Sequence, residues 1–135
     1  MAIFVLKNAS VTINSVDLSA YVTSVTLDYK IDAVESTAMG SGGHVYTGGL
    51  QANSVTVNLN QDFAATKTEA TIFPLVGTST TVVVKADSGA VSTTNPSYTI
   101  SNSYLEGSQP VAGSVGDLAA MALTFNGGTL VKATT

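Results

Sequence analysis

The side chains with the most chemistry in them are His44, the single histidine of the chain, and Asp87, which heads the run Asp87-Ser88-Gly89-Ala90. An imidazole can serve as general base or metal ligand. A zinc site needs three or four convergent donors, however, and a nucleophilic triad needs a hydroxyl and an orienting acid. His44 lies in a glycine-rich stretch with no nearby cysteine or paired acid and reads as an exposed loop histidine. An Asp-Ser-Gly triplet after a β-branched run is the setting in which two aspartates share a proton and hydrolyse peptides. A chain this short would have to dimerise to supply both, and Lys85-Ala86 stand where apolar residues should precede the aspartate. A turn accounts for the triplet in full. Gly40-Ser41-Gly42-Gly43 has no lysine in P-loop position and no helix begins there, so it is a loop rather than a phosphate cradle. Asn8-Ala9-Ser10 has the form of a glycosylation sequon by chance, and proline excludes Asn95-Pro96-Ser97. Asp28 and Asp32 flank Lys30 on one strand face, which describes a solvated surface. No catalytic residue, metal ligand or cofactor site is expected.

The elements that hold these residues are read from composition and periodicity. The chain has 135 residues, enough for one domain and one core, with 44% hydrophobic content. Only 10% of residues are charged, against a usual ~25%. Serine, threonine, asparagine, glycine and alanine take the place of the missing charge, and such a surface is better suited to burial against another copy than to a solitary monomer. There is no arginine, the five lysines (Lys7, Lys30, Lys67, Lys85 and Lys132) are scattered, and the net charge is -4. Tight nucleic-acid binding needs clustered cations that displace counterions, and this chain has none. The absence of cysteine removes disulfides, thiol catalysis and thiolate metal sites. The start, from Met1 to Lys7, is too short for a signal peptide and lacks a basic leader, and no long apolar run spans a membrane. Synthesis in a cytoplasm is expected.

Period-two alternation dominates. From Ser24 to Asp32, Val25, Leu27, Tyr29 and Ile31 face one way and Ser24, Thr26, Asp28, Lys30 and Asp32 the other. From Ser54 to Asp62, Val55, Val57 and Leu59 oppose Ser54, Thr56, Asn58 and Asn60. These two strands are expected to pair antiparallel around a long flexible loop at about 36–50, rich in glycine. Loops of that length are usually functional, and the entropy of ordering them is best offset by a partner. Asp62 is expected to cap one helix running to Phe73, with Phe63, Ala70 and Phe73 on a shared face joined by Thr66 and with Pro74 and Gly77 ending the segment. Further strands are expected at Thr80–Ala86, buried on both faces, at Ser97–Leu105, and at Ala119–Phe125 as the last one, with Met121, Leu123 and Phe125 inward. A hairpin is expected near the start, Phe4–Leu6 and Val11–Ile13 around Asn8-Ala9-Ser10. The result is a mainly β protein: an antiparallel β-sandwich or partly closed barrel of six to eight strands with one short flanking α-helix, in a single domain over 1–135.

The order of features is familiar. Val16-Asp17-Leu18-Ser19, an alternating strand, Glu35-Ser36-Thr37-Ala38-Met39-Gly40, Gly49-Leu50, a second alternating strand ending Gln61-Asp62-Phe63, and Gly113-Ser114-Val115-Gly116-Asp117-Leu118 before a late strand together resemble the major tail (tail tube) proteins of long-tailed bacteriophages. The resemblance implies a virion subunit that associates with itself into rings, hexameric in that family, which stack into a hollow tube alongside other tail components. Neighbouring hairpins join into an inner β-barrel, and double-stranded DNA passes through transiently, without base recognition. Ser24, Thr26, Asp28, Lys30 and Asp32, with Ser54, Thr56, Asn58 and Asn60, are then expected to line the lumen. Asp28 and Asp32 would neutralise Lys30 locally. Met39, Gly40, Ser41, Gly42, Gly43, His44, Val45, Tyr46, Thr47, Gly48 and Gly49 are expected to form the loop that bridges rings. Six copies would carry about -24 before screening, which keeps a moving polyanion from adhering. A capsid decoration protein is the alternative within virion assembly, and a tail terminator ring is a further neighbour. An adhesin-like or carbohydrate-binding sandwich is a third reading, which the lack of tryptophan disfavours. No membrane and no small-molecule substrate is expected.

Overall fold

A computed structural model describes residues 5–63 and 67–135 of the chain. The strands are β1 (Ser10–Ile13), β2 (Val16–Asp17), β3 (Val22–Asp28), β4 (Ile31–Glu35), β5 (Tyr46–Gln51), β6 (Ser54–Asn60), β7 (Ser79–Lys85), β8 (Ser97–Leu105), β9 (Ala120–Asn126) and β10 (Thr129–Ala133), with one helix, α1 (Thr68–Ile72). Eight strands form one antiparallel sheet in the order β2-β1-β7-β8-β9-β6-β3, with β10 also on β8, and β4 and β5 pair apart from it as a two-stranded ribbon. The architecture is the mainly β, antiparallel one expected and is not a closed barrel, with more strands because the expected loop and the segment after Phe125 both supply some.

The sheet folds over along β8. Its first half, Ser97 to Ser101, carries β10, whereas Tyr104 and Leu105 carry β9 on the same edge. Gly127 and Gly128 link these two strands at positive φ, and Asn102 stands in the left-handed region where β8 changes partner. A strand that switches layers through such a corner lets a single sheet face itself. The layers β1-β7-β8-β10 and β3-β6-β9 accordingly share one core. Val11, Ile13, Val82, Val84, Ile100 and Leu105 come from the first layer, and Val55, Val57, Leu59, Met121, Leu123 and Phe125 from the second. Alternation produces this directly, because each strand turns every second side chain inward. Leu18, just before the 3-10 turn Ser19–Tyr21, and Ile72 of α1 fill the remaining space.

Several local expectations are corrected. The helix begins at Thr68 and runs into a 3-10 turn at Phe73–Leu75. Its buried face is Thr68 and Ile72, while Phe63 and Phe73 are exposed. The cap position of α1 is Lys67 rather than the expected Asp62, whose N–H donates to the Thr68 hydroxyl at 2.7 Å, itself a donor to Gln61 Oε1 at 2.8 Å. Thr66 lies outside the described residues. The first hairpin joins β1 to β2 through Asn14 and Ser15, both at positive φ as a tight two-residue turn requires. Val5 and Leu6 belong to no strand, and Phe4 lies outside the described residues. The Ser19 N–H and hydroxyl bond to the Asp17 carboxylate and hold its pKa below the usual carboxylate range. Strand β7 buries only one face fully, since Val82 and Val84 are in the core and Val83 is half-buried. The last strand is β10 rather than the one ending near Phe125.

A Cβ built on Gly128 would lie 2.4 Å from the Ser101 carbonyl oxygen and 2.8 Å from Ile100 Cγ2, whereas one on Gly127 meets nothing within 4 Å. Gly128→Ala is therefore expected to lose about 2–4 kcal/mol, seen as a Tm lower by roughly 10 °C. Gly127→Ala should lose only the left-handed penalty of about 1–2 kcal/mol. Equal melting temperatures for the two variants would refute the corner as described.

Candidate functional site

The outer face of β3-β6-β9 is built from the residues alternation leaves after the core is filled. Register pairs Ser24 with Asn58, Thr26 with Thr56 and Asp28 with Ser54 across β3 and β6. On the other side of β6, Asn58 faces Ala122, Thr56 faces Thr124 and Ser54 faces Asn126. Three cross-strand rows result, made only of small and polar side chains. Asn58 Nδ2 donates to Ser24 Oγ at 2.6 Å, and Ser54 Oγ donates to Asp28 Oδ2 at 3.4 Å. Val25 and Leu27, on the inward side of β3, pack against the core.

The structure thus brings Ser24, Thr26, Asp28, Ser54, Thr56 and Asn58 onto one face, with Asn60 at its end opposite Ala120. It does not bring Lys30 and Asp32 there. The single strand expected over Ser24–Asp32 is two, because β3 ends at Asp28 and β4 begins at Ile31. The alternation runs through unbroken while the pairing partner changes from β6 to β5. Ala122, Thr124 and Asn126 of β9 were not among the expected lining residues. Their signal was present in the outward half of the Ala119–Phe125 alternation, although only pairing shows that this face continues the other two.

The long insertion between β3 and β6 contains two paired strands, β4 and β5. Tyr46 to Gln51 form β5, so the non-strand tip is Ser36 to Val45, and Gly48 and Gly49 are strand residues. A Cβ at position 49 would come within 2.9 Å of Val34 Cγ2, so a side chain there would require the exposed Val34 side chain to shift. At the tip the Ser36 N–H bonds to the Val45 carbonyl at 2.8 Å, and the Val45 N–H bonds to Thr37 Oγ1 at 2.8 Å. His44 does have an acid partner, which the sequence did not reveal: its Nδ1 lies 2.6 Å from Glu35 Oε2 across the mouth of the ribbon. Both side chains are exposed, so the pair contributes little by itself. Ile31, Val34, Met39, Val45, Tyr46 and Leu50 of this arm are all exposed. A bare two-stranded ribbon is marginal in water.

What fixes the arm to the body is Asn53, which is 2% exposed. Its Oδ1 accepts from the Lys30 N–H at 3.2 Å, and its Nδ2 donates to Gln51 Oε1 at 2.8 Å and to the Gly128 carbonyl at 3.1 Å. Gln51 Oε1 also accepts the Leu130 N–H at 3.0 Å, while the Gly127 N–H bonds to the Asn53 carbonyl at 2.8 Å. The root of the arm and the corner of the sheet are therefore one hydrogen-bonded junction.

Among the described residues no three histidine, cysteine or acidic side chains cluster as metal ligands, and no helix is long and apolar enough to cross a membrane. Asp87 sits in a surface turn whose carbonyl groups at Asp87, Gly89 and Ala90 accept from Asn95 Nδ2. A concavity of about 440 Å³ lies along the open seam of the sandwich, lined by Val25, Leu27 and Tyr29 and by Val84, Tyr98 and Leu130. Strand β3 is the edge there, paired only with β6 among the described residues.

No family model and no curated protein matches the sequence. Solved structures do match the fold. In the virion of a native gene transfer agent, one chain superposes with a TM-score of 0.72 at 14% identity, over 97% of this chain and 99% of that one. The sheath-tube complex of an extracellular contractile injection system gives 0.70 at 14% identity, over 98% and 93%. The SPP1 tail tube gives 0.70 at 9% identity, over 95% and 77%. Over nearly its whole length the chain has the fold found in tail tubes and contractile injection systems.

Asn53→Ala is expected to cost about 2–3 kcal/mol, because it strands the Lys30 N–H and the Gly128 carbonyl. Amide hydrogen exchange should accelerate across Ile31 to Gln51 more than in β7. Uniform acceleration over the whole chain would contradict a junction that serves the arm.

Proposed function

We propose that this chain is the non-catalytic tube subunit of a phage-type tail, closing into rings that stack into a hollow virion tube through which double-stranded DNA passes. The observation that carries this reading is the three-row polar face of β3-β6-β9, on a fold shared with subunits of such assemblies. The free edge of β3 continues that face outward. A neighbour's strand joined there would extend the small, polar surface around a ring and remove the exposed edge. Ser24, Thr26, Asp28, Ser54, Thr56, Asn58 and Asn60, together with Ala122, Thr124 and Asn126, then line the lumen.

The electrostatic account changes with this assignment. Of the chain's nine acids only Asp28 is a strand residue of the β3-β6-β9 face, while Glu106 borders it beside Ala122 and Thr124 and Asp117 beside Asn58, so the lining carries acids and no cation from its strands. Hydroxyl and amide groups without cations offer a polyanion no counterion-releasing contact, which serves passage better than binding. Lys30 and Asp32 sit at the root of the arm. Residues 39–49, with His44 and Met39 near the tip, contact the adjacent ring, and other tail components cap the tube.

Negative-stain electron microscopy of the purified protein is expected to show long hollow tubes. In those tubes Thr56→Cys and Thr124→Cys should react with a small maleimide and resist a large polymer-linked maleimide, except near tube ends. Monomers alone at high concentration would sink the tube reading. Equal reaction with both reagents would place the β3-β6-β9 face on the outside.

A further inference from the structure

Two sets of exposed apolar side chains lie at opposite ends of the same strands. The arm leaves the body where Asp28 pairs with Ser54, at the start of β6. At the other end of β6, Asn60 pairs with Ala120, and the chain around that point exposes Phe63, Val111, Val115 and Leu118. Val115 and Met39 are fully exposed, at 107% and 104%. Gln61 fixes the second set in place. Its Nε2 donates to the Pro110 carbonyl at 2.9 Å, and its N–H donates to the Ala119 carbonyl at 3.0 Å, closing the segment between them into a surface loop. The ends are separated by the length of β6, seven residues or about 20 Å.

We infer that the apolar loop of residues 110–118, with Phe63 beside it, is the surface that receives the arm of a second copy. This rests on the tube reading and names the partner surface for its axial contact. Each set of side chains is too exposed to be explained within one copy. Because they stand at opposite ends of one strand direction, a single translation along that direction brings the arm of one copy onto the loop of the next. A contact between two different patches is heterologous and does not close on itself, so it propagates without limit. Both partners carry acids and few cations: Asp32 and Glu35 on the arm, Asp117 in the loop. The contact is therefore apolar, with Met39, Val45 and Leu50 against Val111, Val115 and Leu118. Covering the arm on assembly also supplies the packing that a bare ribbon lacks.

The native chain has no cysteine, so a Met39→Cys, Val115→Cys double variant carries only the two introduced thiols. A short bis-maleimide applied to assembled protein is expected to give a ladder of covalent multimers on a denaturing gel, since each copy is linked at both ends. Either single variant should give no more than dimers. A Val115→Asp, Leu118→Asp variant should melt within a few degrees of the parent, its changes being on the surface, and should raise the concentration needed for tube growth more than tenfold. Tubes that form normally from that variant, or tubes of the double-cysteine variant that yield no ladder, would overturn this docking surface and leave the tube reading standing. Failure of the parent protein to form tubes under any condition would instead remove the tube reading, and this inference with it.

Discussion

The close approach of Gly128 to β8 is the constraint on which the rest of the molecule depends. With no side chain at that position, the backbone comes near enough to the Ser101 carbonyl for β9 and β10 to share one edge of β8 while diverging into different layers. The divergence folds an eight-stranded sheet over itself and places twelve strand residues from both layers in one core. The same corner holds the arm, because the Gly128 carbonyl is one of the acceptors for the buried side chain of Asn53. Core closure and arm placement are thus coupled through two adjacent backbone positions.

The core is not polished throughout. Thr80 and Ser103 are direct partners across β7 and β8, both buried, and neither hydroxyl oxygen finds a hydrogen-bond partner. Unpaired buried hydroxyls cost on the order of 1–3 kcal/mol each. Together with a seam left open along β3, this describes a subunit of modest stability alone. Association then completes the architecture, by pairing a free edge and covering an arm whose apolar side chains are in water. The low charge of the sequence fits the same logic, since surfaces destined for contact carry few groups that are expensive to desolvate.

Much of the wall was legible in the sequence. The alternation around Val55, Val57 and Leu59 identified the central strand and its two faces, and that around Val25 and Leu27 identified its partner. The antiparallel relation between them followed from the insertion that joins them. The helix was less legible: a face through Phe63, Ala70 and Phe73 satisfied helical spacing, yet Ile72 is what reaches the core. Periodicity reports which residues can share a face and is silent on where the helix starts. With α1 starting at Thr68, the face turned inward is that of Thr68 and Ile72. The glycines at 48 and 49 read as loop because isolated glycine lowers strand propensity. In the folded chain they are strand positions, and a Cβ at 49 would press on the Val34 side chain of the opposite strand.

By itself the sequence determined the chemistry of each surface. It contained no constellation for catalysis, no cationic cluster, and strands with one apolar and one small polar side, because residue type and parity are local properties. Which strands lie beside one another was decided only by tertiary structure. Pairing split the run from Ser24 to Asp32 between wall and arm, removed Lys30 and Asp32 from the polar face, and added Ala122, Thr124 and Asn126 from β9, more than sixty residues distant in the chain from Thr56. The Glu35–His44 contact and the Asn53 junction were decided in the same way. Each depends on groups brought together by backbone pairing, and hydrogen-bond geometry over such distances leaves no mark in local sequence.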